Sequence, residues 1–186
     1  RLLLEVGFRG LLDRIEKYSN RENLTDSQKE FYESCRITLN AIITSIKRLA
    51  KAINPYNADC SQALYNLAEN KPSNIYEAMQ LLILYLFIHE FVAAGRVRTL
   101  GRVDVLLYPF YENDIKNGTF TKQDIKEMFK YFLNKFWTAN IANDLPFALG
   151  GMDENGNELT NEISYMIVEA YNELNIYSPK IHIRVS

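Results

Sequence analysis

The chain is poor in the residues that most often carry chemistry. Among its 186 residues are two cysteines, Cys35 and Cys60, and two histidines, His89 and His182. Two cysteines in helical patterns make neither a disulfide framework nor a metal-ligand spacing. Both read as inert thiols in or near a core. No glycine-rich phosphate loop, nucleophile elbow or zinc signature is present. Gly150-Gly151 is a lone pair that signals a turn. An excess of one charge is missing too: 21 Lys and Arg stand against 23 Asp and Glu, for a net charge of -2. That excludes the basic footprint of a nucleic-acid binder. The longest apolar run, Ala78 to Ala94, is interrupted by Gln80, His89 and Glu90. A membrane span needs about 20 mostly apolar residues, so this run reads as a buried core helix. No signal or transit peptide is visible, which makes a cytoplasmic location the expectation. Repeats and low-complexity segments are absent as well.

What remains is 47% hydrophobic, enough for one substantial core. Leu2 to Lys17 reads as a helix with Leu3, Val6, Leu11, Leu12 and Ile15 inward, weakened by Gly7 and Gly10. Thr25 caps a long second helix, with Gln28 as the return partner of a capping box. Phe31, Cys35, Leu39, Ile42, Ile46, Leu49 and Ile53 recur at helical steps and predict its buried face. Asn54-Pro55 ends it. A shorter helix follows from about Asp59 to Glu69, with Leu64, Leu67 and Ala68 inward. Ser73 or Asn74 caps the next one, apolar nearly all round and therefore central. Thr121, with Asp124 three residues on, starts a helix to about Ala142. Its aromatics, at helical spacing, read as core packing rather than a base-stacking platform. The last third changes character. Leu145 to Gly150 reads as a strand and Asp153 to Asn157 as a turn. Thr160 caps a helix to about Asn175. Ile181, Ile183 and Val185 alternate with His182, Arg184 and Ser186 as a second strand. Strand, helix, strand implies a right-handed crossover between parallel strands.

The tract from Gly95 to Ile115 organises the chain. It holds Arg96, Arg98 and Arg102, two glycines, and the aromatic block Tyr108-Pro109-Phe110-Tyr111. Arginines beside anchored aromatics offer planar forks for a carboxylate or phosphate. The plainer alternative is a structural turn whose arginines pair with Asp104, Glu112 or Asp114. His89, just upstream, reads as a satisfied core histidine, or more sharply as a support behind Arg96 or Arg98. The chain opens inside a helical pattern and closes straight out of a strand, so a piece of a longer protein is the expectation.

These residues resemble a family. Gly101-Arg102-Val103-Asp104 and Leu107-Tyr108-Pro109-Phe110-Tyr111-Glu112-Asn113-Asp114 are similar to the GR(L/F)DQ…LYP-YYE-D block of glycyl radical enzymes, the pyruvate formate-lyase-like group. Gly150 to Gly156 and Thr160 to Tyr165 resemble its GG-DG-D-TNELSYL block. Pro179 to Val185 resembles P-LSVR. Gly7 to Leu11 and Lys71-Pro72…Tyr76-Glu77-Ala78 fit as well. The resemblance covers nearly the whole chain, in family order. It implies a helix-rich α/β fold, a ten-stranded barrel of the glycyl radical enzyme and ribonucleotide reductase type. Residues 1–186 would be part of that single domain, with 1–142 mainly helical and 143–186 starting the barrel. It also implies a glycyl radical, installed by a radical-SAM activating enzyme that uses S-adenosylmethionine and an iron–sulfur cluster. In the family the radical glycine and the thiyl cysteine lie beyond the stretch that this chain matches. Cys35 and Cys60 match neither. No catalytic residue, cofactor or metal is therefore expected on these 186 residues, which alone should be inactive. A homodimer is the expected assembly of the full-length enzyme.

The departures bear on substrate. Where most members read Asp-Gln, this chain reads Asp104-Val105. The positions that enter the pocket in dehydratase-like members fall on Arg96 and Val97. Arginine stays charged and binds carboxylate, sulfonate or phosphate at two points. A small anionic substrate is thus expected, clamped by Arg96 with Arg98 in support or in its place. A substrate whose only charge is an ammonium group is disfavoured. His182 and Arg184 are weaker candidates, because one face of their strand looks into a barrel. Lyase or dehydratase chemistry is the leading expectation and formate C-acetyltransferase chemistry the runner-up. A catalytically silent helical module is the alternative from another class.

Overall fold

In a computed structural model, which describes residues 1–92, 99–138 and 147–185, local sequence signals set most helix starts. Contacts divide the chain into two compact units, residues 1–73 and 74–186. The first holds α1 (Leu2–Ser19), α2 (Asp26–Ile53) and α3 (Ala58–Glu69). The predicted capping box opens α2. The Gln28 N–H donates to Thr25 Oγ1 at 3.3 Å and the Thr25 N–H to Gln28 Oε1 at 2.9 Å. Leu12, Ile46, Ala50, Leu64, Leu67 and Ala68 form the centre of this unit. The hydroxyl of buried Ser61 donates to the Ala50 carbonyl, tying α3 to α2.

Two expectations for this unit are corrected. Gly7 does more than weaken α1. Its backbone leaves the helix at φ 68°, ψ -179°, and the helix axis breaks there. The face predicted on α2 holds in part: Ile46 is buried and Cys35, Leu39, Ile42 and Ile53 are half-buried, but Phe31 is 62% exposed and Leu49 41%, and Ile43 and Ala50 are buried in addition. None of the α2 residues before Ile43 is fully buried. The helix is 28 residues long against 18 and 12 for its partners, so a shorter stretch of it is covered than its periodicity suggests.

The second unit runs α4 (Ile75–Phe91), β1 (Gly101–Arg102), α5 (Val103–Asn117), α6 (Lys122–Thr138), β2 (Phe147–Gly150), α7 (Glu162–Leu174) and β3 (Ile181–Arg184). Asn74 caps α4, accepting from the Glu77 N–H. As expected of an all-round apolar helix, Ile75, Ala78, Leu81 and Leu86 are fully buried. Thr121 and Asp124 cap α6 reciprocally. Phe129, Phe132 and Phe136 pack edge to face along it, with centroids 6.4 and 5.0 Å apart.

The three strands form a parallel sheet in the order β1-β2-β3. Gly101 lies opposite Phe147 and Arg102 opposite Ala148; Phe147 to Gly150 pair with Ile181 to Arg184. The strand-helix-strand reading holds, but β1 is an addition to it. Two further details differ. The aromatic tract is helical from Val103 on, with Pro109 inside α5. Proline there leaves the helix one N–H short, on a side where Pro109 is exposed. The cap of α7 is Asn161 rather than Thr160, with Ser164 completing the box. β3 is open on both faces: His182 and Arg184 are exposed, Ile183 is 64% exposed, and Val185, just beyond the strand, 91%.

Candidate functional site

The centre of the second unit is a buried anion. Asp104, in the first turn of α5, has no exposed surface. Its Oδ2 accepts from the Gly150 N–H at 2.7 Å and from Ser164 Oγ at 2.6 Å. Its Oδ1 accepts from the Val105 N–H at 2.8 Å. The Ser164 hydroxyl oxygen already accepts from the Asn161 N–H, so its own proton is free to go to Asp104. Short bonds of this kind suit a charged acceptor. No cation pairs with Asp104 among the described residues. The compensation comes from the N-terminal turns of α5 and α7, whose dipoles favour a negative charge.

Next to it, Arg102 closes β1. One guanidinium nitrogen donates to the Met152 carbonyl at 3.1 Å, beyond the end of β2. Between these contacts lie Gly150 and Gly151, at φ 67° and 86°. A Cβ on Gly150 would stand 2.8 Å from Thr160 Oγ1 and 3.1 Å from the Arg184 carbonyl. Glycine is therefore required there for both conformation and space. The loop beyond is held by Asp153, which accepts from Asn155 and Asn157. Those bonds, with Arg102 nearby, keep its carboxyl below the ordinary range. A cleft of about 290 Å³ opens beside these residues, lined by Leu149, Thr160, Ser164, Val168 and Ile183.

A second buried carboxylate, Asp114, sits near the other end of α5. Its Oδ2 accepts from the Ile75 N–H at 2.7 Å, at the start of α4. Its Oδ1 is buried without a hydrogen-bond partner. Burial, helped by the charge of Glu77, pushes its carboxyl above the ordinary value.

Arg96 and Arg98, the predicted clamp, lie outside the described residues, as does Val97. Of the ion-pair alternative for the arginine tract, only Arg102 falls within the described residues; the pairing of Arg96 and Arg98 lies outside them. Asp104 and Asp114 accept from backbone N–H groups and a hydroxyl, and Arg102 reaches a carbonyl. His89 is half-buried near the end of α4, 5.9 Å ring to ring from Tyr85. Its Nδ1 is buried without a hydrogen-bond partner, unlike the satisfied histidine expected. His182 and Arg184 are exposed on β3, opposite Ala148 and Gly150. The carbon chain of Arg184 lies over Gly151. The structure therefore gathers Arg102, Arg184 and the glycine pair at one end of the sheet. His89, on α4, is not among them. Among the described residues, no group of three or more His, Cys, Asp or Glu could hold a metal ion. Asp104 as a hub was missed, because its donors lie 46 and 60 residues downstream. Its only signal was its place in the Gly-Arg-x-Asp block.

The model of a family described as "Pyruvate formate lyase-like" matches residues 1–186. The chain is 27% identical to (2S)-3-sulfopropanediol dehydratase of Klebsiella oxytoca, over 98% of this chain and 26% of that protein. It is 23% identical to isethionate sulfite-lyase of Oleidesulfovibrio alaskensis, again over 98% and 26%. Among solved structures, one describing 1,2-propanediol dehydration in Roseburia inulinivorans superposes with a TM-score of 0.87. It is 22% identical over 99% of this chain and 27% of that one. The B12-independent glycerol dehydratase of Clostridium butyricum gives 0.84, also at 22%, over 98% and 27%. These structures show a shared fold. The chain spans about a quarter of the length of the curated relatives it matches.

Proposed function

Because the chain belongs to the pyruvate formate lyase-like family, we propose that it is the helical and first-barrel portion of a glycyl radical lyase or dehydratase acting on a small anionic substrate. The observation that carries this reading is the pair Arg96 and Arg98 just upstream of Gly101-Arg102; the family resemblance carries the substrate-contacting positions of dehydratase-like members onto Arg96 and Val97. Two relatives matched over 98% of the chain support it, since the names of both state a sulfonate substrate. A guanidinium meets a sulfonate or carboxylate with two parallel charge-assisted hydrogen bonds. Arg96 would fix the anionic end of the substrate, with Arg98 in support.

The rest of the polypeptide would complete a ten-stranded barrel and supply the radical glycine and the hydrogen-abstracting cysteine. A radical-SAM activating enzyme would install the radical, and the assembly would be a homodimer. In this division of labour the residues of this chain bind and orient. The chemistry at the reacting carbon lies elsewhere.

The test uses the full-length polypeptide, activated without oxygen. Its intact mass should be several times 21.6 kDa. Arg96→Ala should raise KM for a hydroxyalkyl sulfonate or carboxylate about 10- to 100-fold, the loss of one charge-assisted pair. Arg96→Lys should recover only part of it. Unchanged turnover in Arg96→Ala and Arg98→Ala would remove the clamp. A native mass near 21.6 kDa would remove the enzyme reading.

A further inference from the structure

β1 is two residues long, and only two register pairs align it with β2. So short a parallel pairing specifies its register weakly. Side chains continue the alignment where the strand stops. Arg102 reaches the Met152 carbonyl, and Asp104 takes the Gly150 N–H. Asp104 then passes the same constraint to α7 through Ser164. All three of its hydrogen bonds are accepted and none is donated. A buried carboxylate is expensive to keep, and it is kept only where donors such as these three converge on it. What the carboxylate adds is position: it joins a strand end, a helix start and a glycine turn at one oxygen.

We propose that Asp104 is a positioning residue for the reaction proposed above, which fixes β1 against β2 and both against the start of α7. Its link to substrate rests on the function proposed above. Asp104 touches no substrate in this assignment and acts through Gly150 and Ser164.

Three variants of the full-length polypeptide test it: Asp104→Asn, Ser164→Ala and the double variant. Two readouts are taken on each. The first is amide hydrogen exchange at Gly150, followed in a peptide covering residues 147–152. Asp104→Asn should speed that exchange at least about tenfold, and Ser164→Ala should speed it less. The double variant should be no faster than Asp104→Asn alone, because both changes break one network. The second readout is the radical spin count with kcat and KM for a hydroxyalkyl sulfonate. KM should rise about tenfold while spin count and kcat hold. An unchanged Gly150 exchange overturns the proposal. So does a fall in spin count and kcat with KM constant, which would mark a general loss of structure. Should Asp104→Asn fail to fold, Ser164→Ala leaves the carboxylate in place and decides the matter by the same two readouts. Should the unsubstituted protein show neither radical nor turnover, the proposed function fails, and the Gly150 exchange alone judges whether Asp104 fixes the strand.

Discussion

The two units solve the same problem, holding helices in register, by different means. Residues 1–73 do it with shape. The backbone at Gly7 comes so close to Asn70 that a Cβ would lie 2.7 Å from its carbonyl oxygen. Around that approach the helices meet through aliphatic side chains, and the ion pairs are largely exposed: Arg36–Glu33, for example, is about half accessible on each side. Residues 74–186 do it with buried charge. Asp104 and Asp114 each take a backbone N–H from a distant element. A shape constraint is insensitive to pH and intolerant of one added methyl group. A carboxylate constraint depends instead on the donors that meet it, and at Asp114 it responds to protons.

The largest effect should come from putting a methyl group into the first unit. Gly7 occupies a backbone region open to glycine alone, and the new Cβ would overlap Asn70. Gly7→Ala should lose about 3 kcal/mol, read as a lower urea midpoint. A loss below about 1 kcal/mol would mean that α1 and the end of α3 are not locked together by shape.

A smaller effect, in the second unit, should depend on pH. The Asp114 carboxyl is raised above its ordinary value of 3.8, first by burial. The native state therefore holds that proton more tightly than the unfolded chain. The stabilisation is full below 3.8 and is lost as pH rises through the raised native value. Asp114→Asn keeps an oxygen for the Ile75 N–H and removes the proton. The variant should thus gain on the unsubstituted chain as pH rises across that window. Parallel curves of urea midpoint against pH would show that Asp114 is not titrating there.

The smallest effect should lie on the surface, where charge and exposure meet. Lys126 and Lys130 each approach Glu173 to 2.7 Å, joining α6 to α7. Their hydrogen bonds push the Glu173 carboxyl down to about 2. Its contribution is present above the unfolded value near 4.5 and fades as pH falls toward about 2. Glu173→Gln should barely move the midpoint in salt, since exposed pairs are screened. A clear drop at physiological ionic strength would make surface charge a third means of holding the helices.

Much of this architecture was legible, and its limits follow the range of the interactions. The caps at Thr25, Asn74 and Thr121 are three-residue signals and were readable. The apolar core helix and the order strand, helix, strand were readable too. Which stretch of α2 is covered was not, because it depends on how far α1 and α3 extend along it. The sequence pattern points to Thr160 as the cap of α7, since nothing local separates it from Asn161. In the structure Thr160 is set against Gly150 instead. The two residues of β1 are too few to alternate, and Pro109 hid the helix around it. The family was legible because its blocks recur in order. The substrate side chains are a different case: they were proposed from Arg96 and Arg98, outside the described residues, and the function assigned to them is tested only by experiment.

The network at Asp104 also has a consequence in time. A chain leaves the ribosome from its N-terminus at about 5–20 residues per second. Asp114 meets an amide made 39 residues earlier, so its partner is waiting when it emerges. Asp104 waits for Gly150, 46 residues later, and for Ser164, 60 residues later. At those rates the interval to Ser164 is about 3–12 seconds. Throughout it the start of α5 carries a hydrated, unattached charge. The joint between α4 and α5 can close during synthesis, whereas the Asp104 network is completed only once α7 has begun to be made.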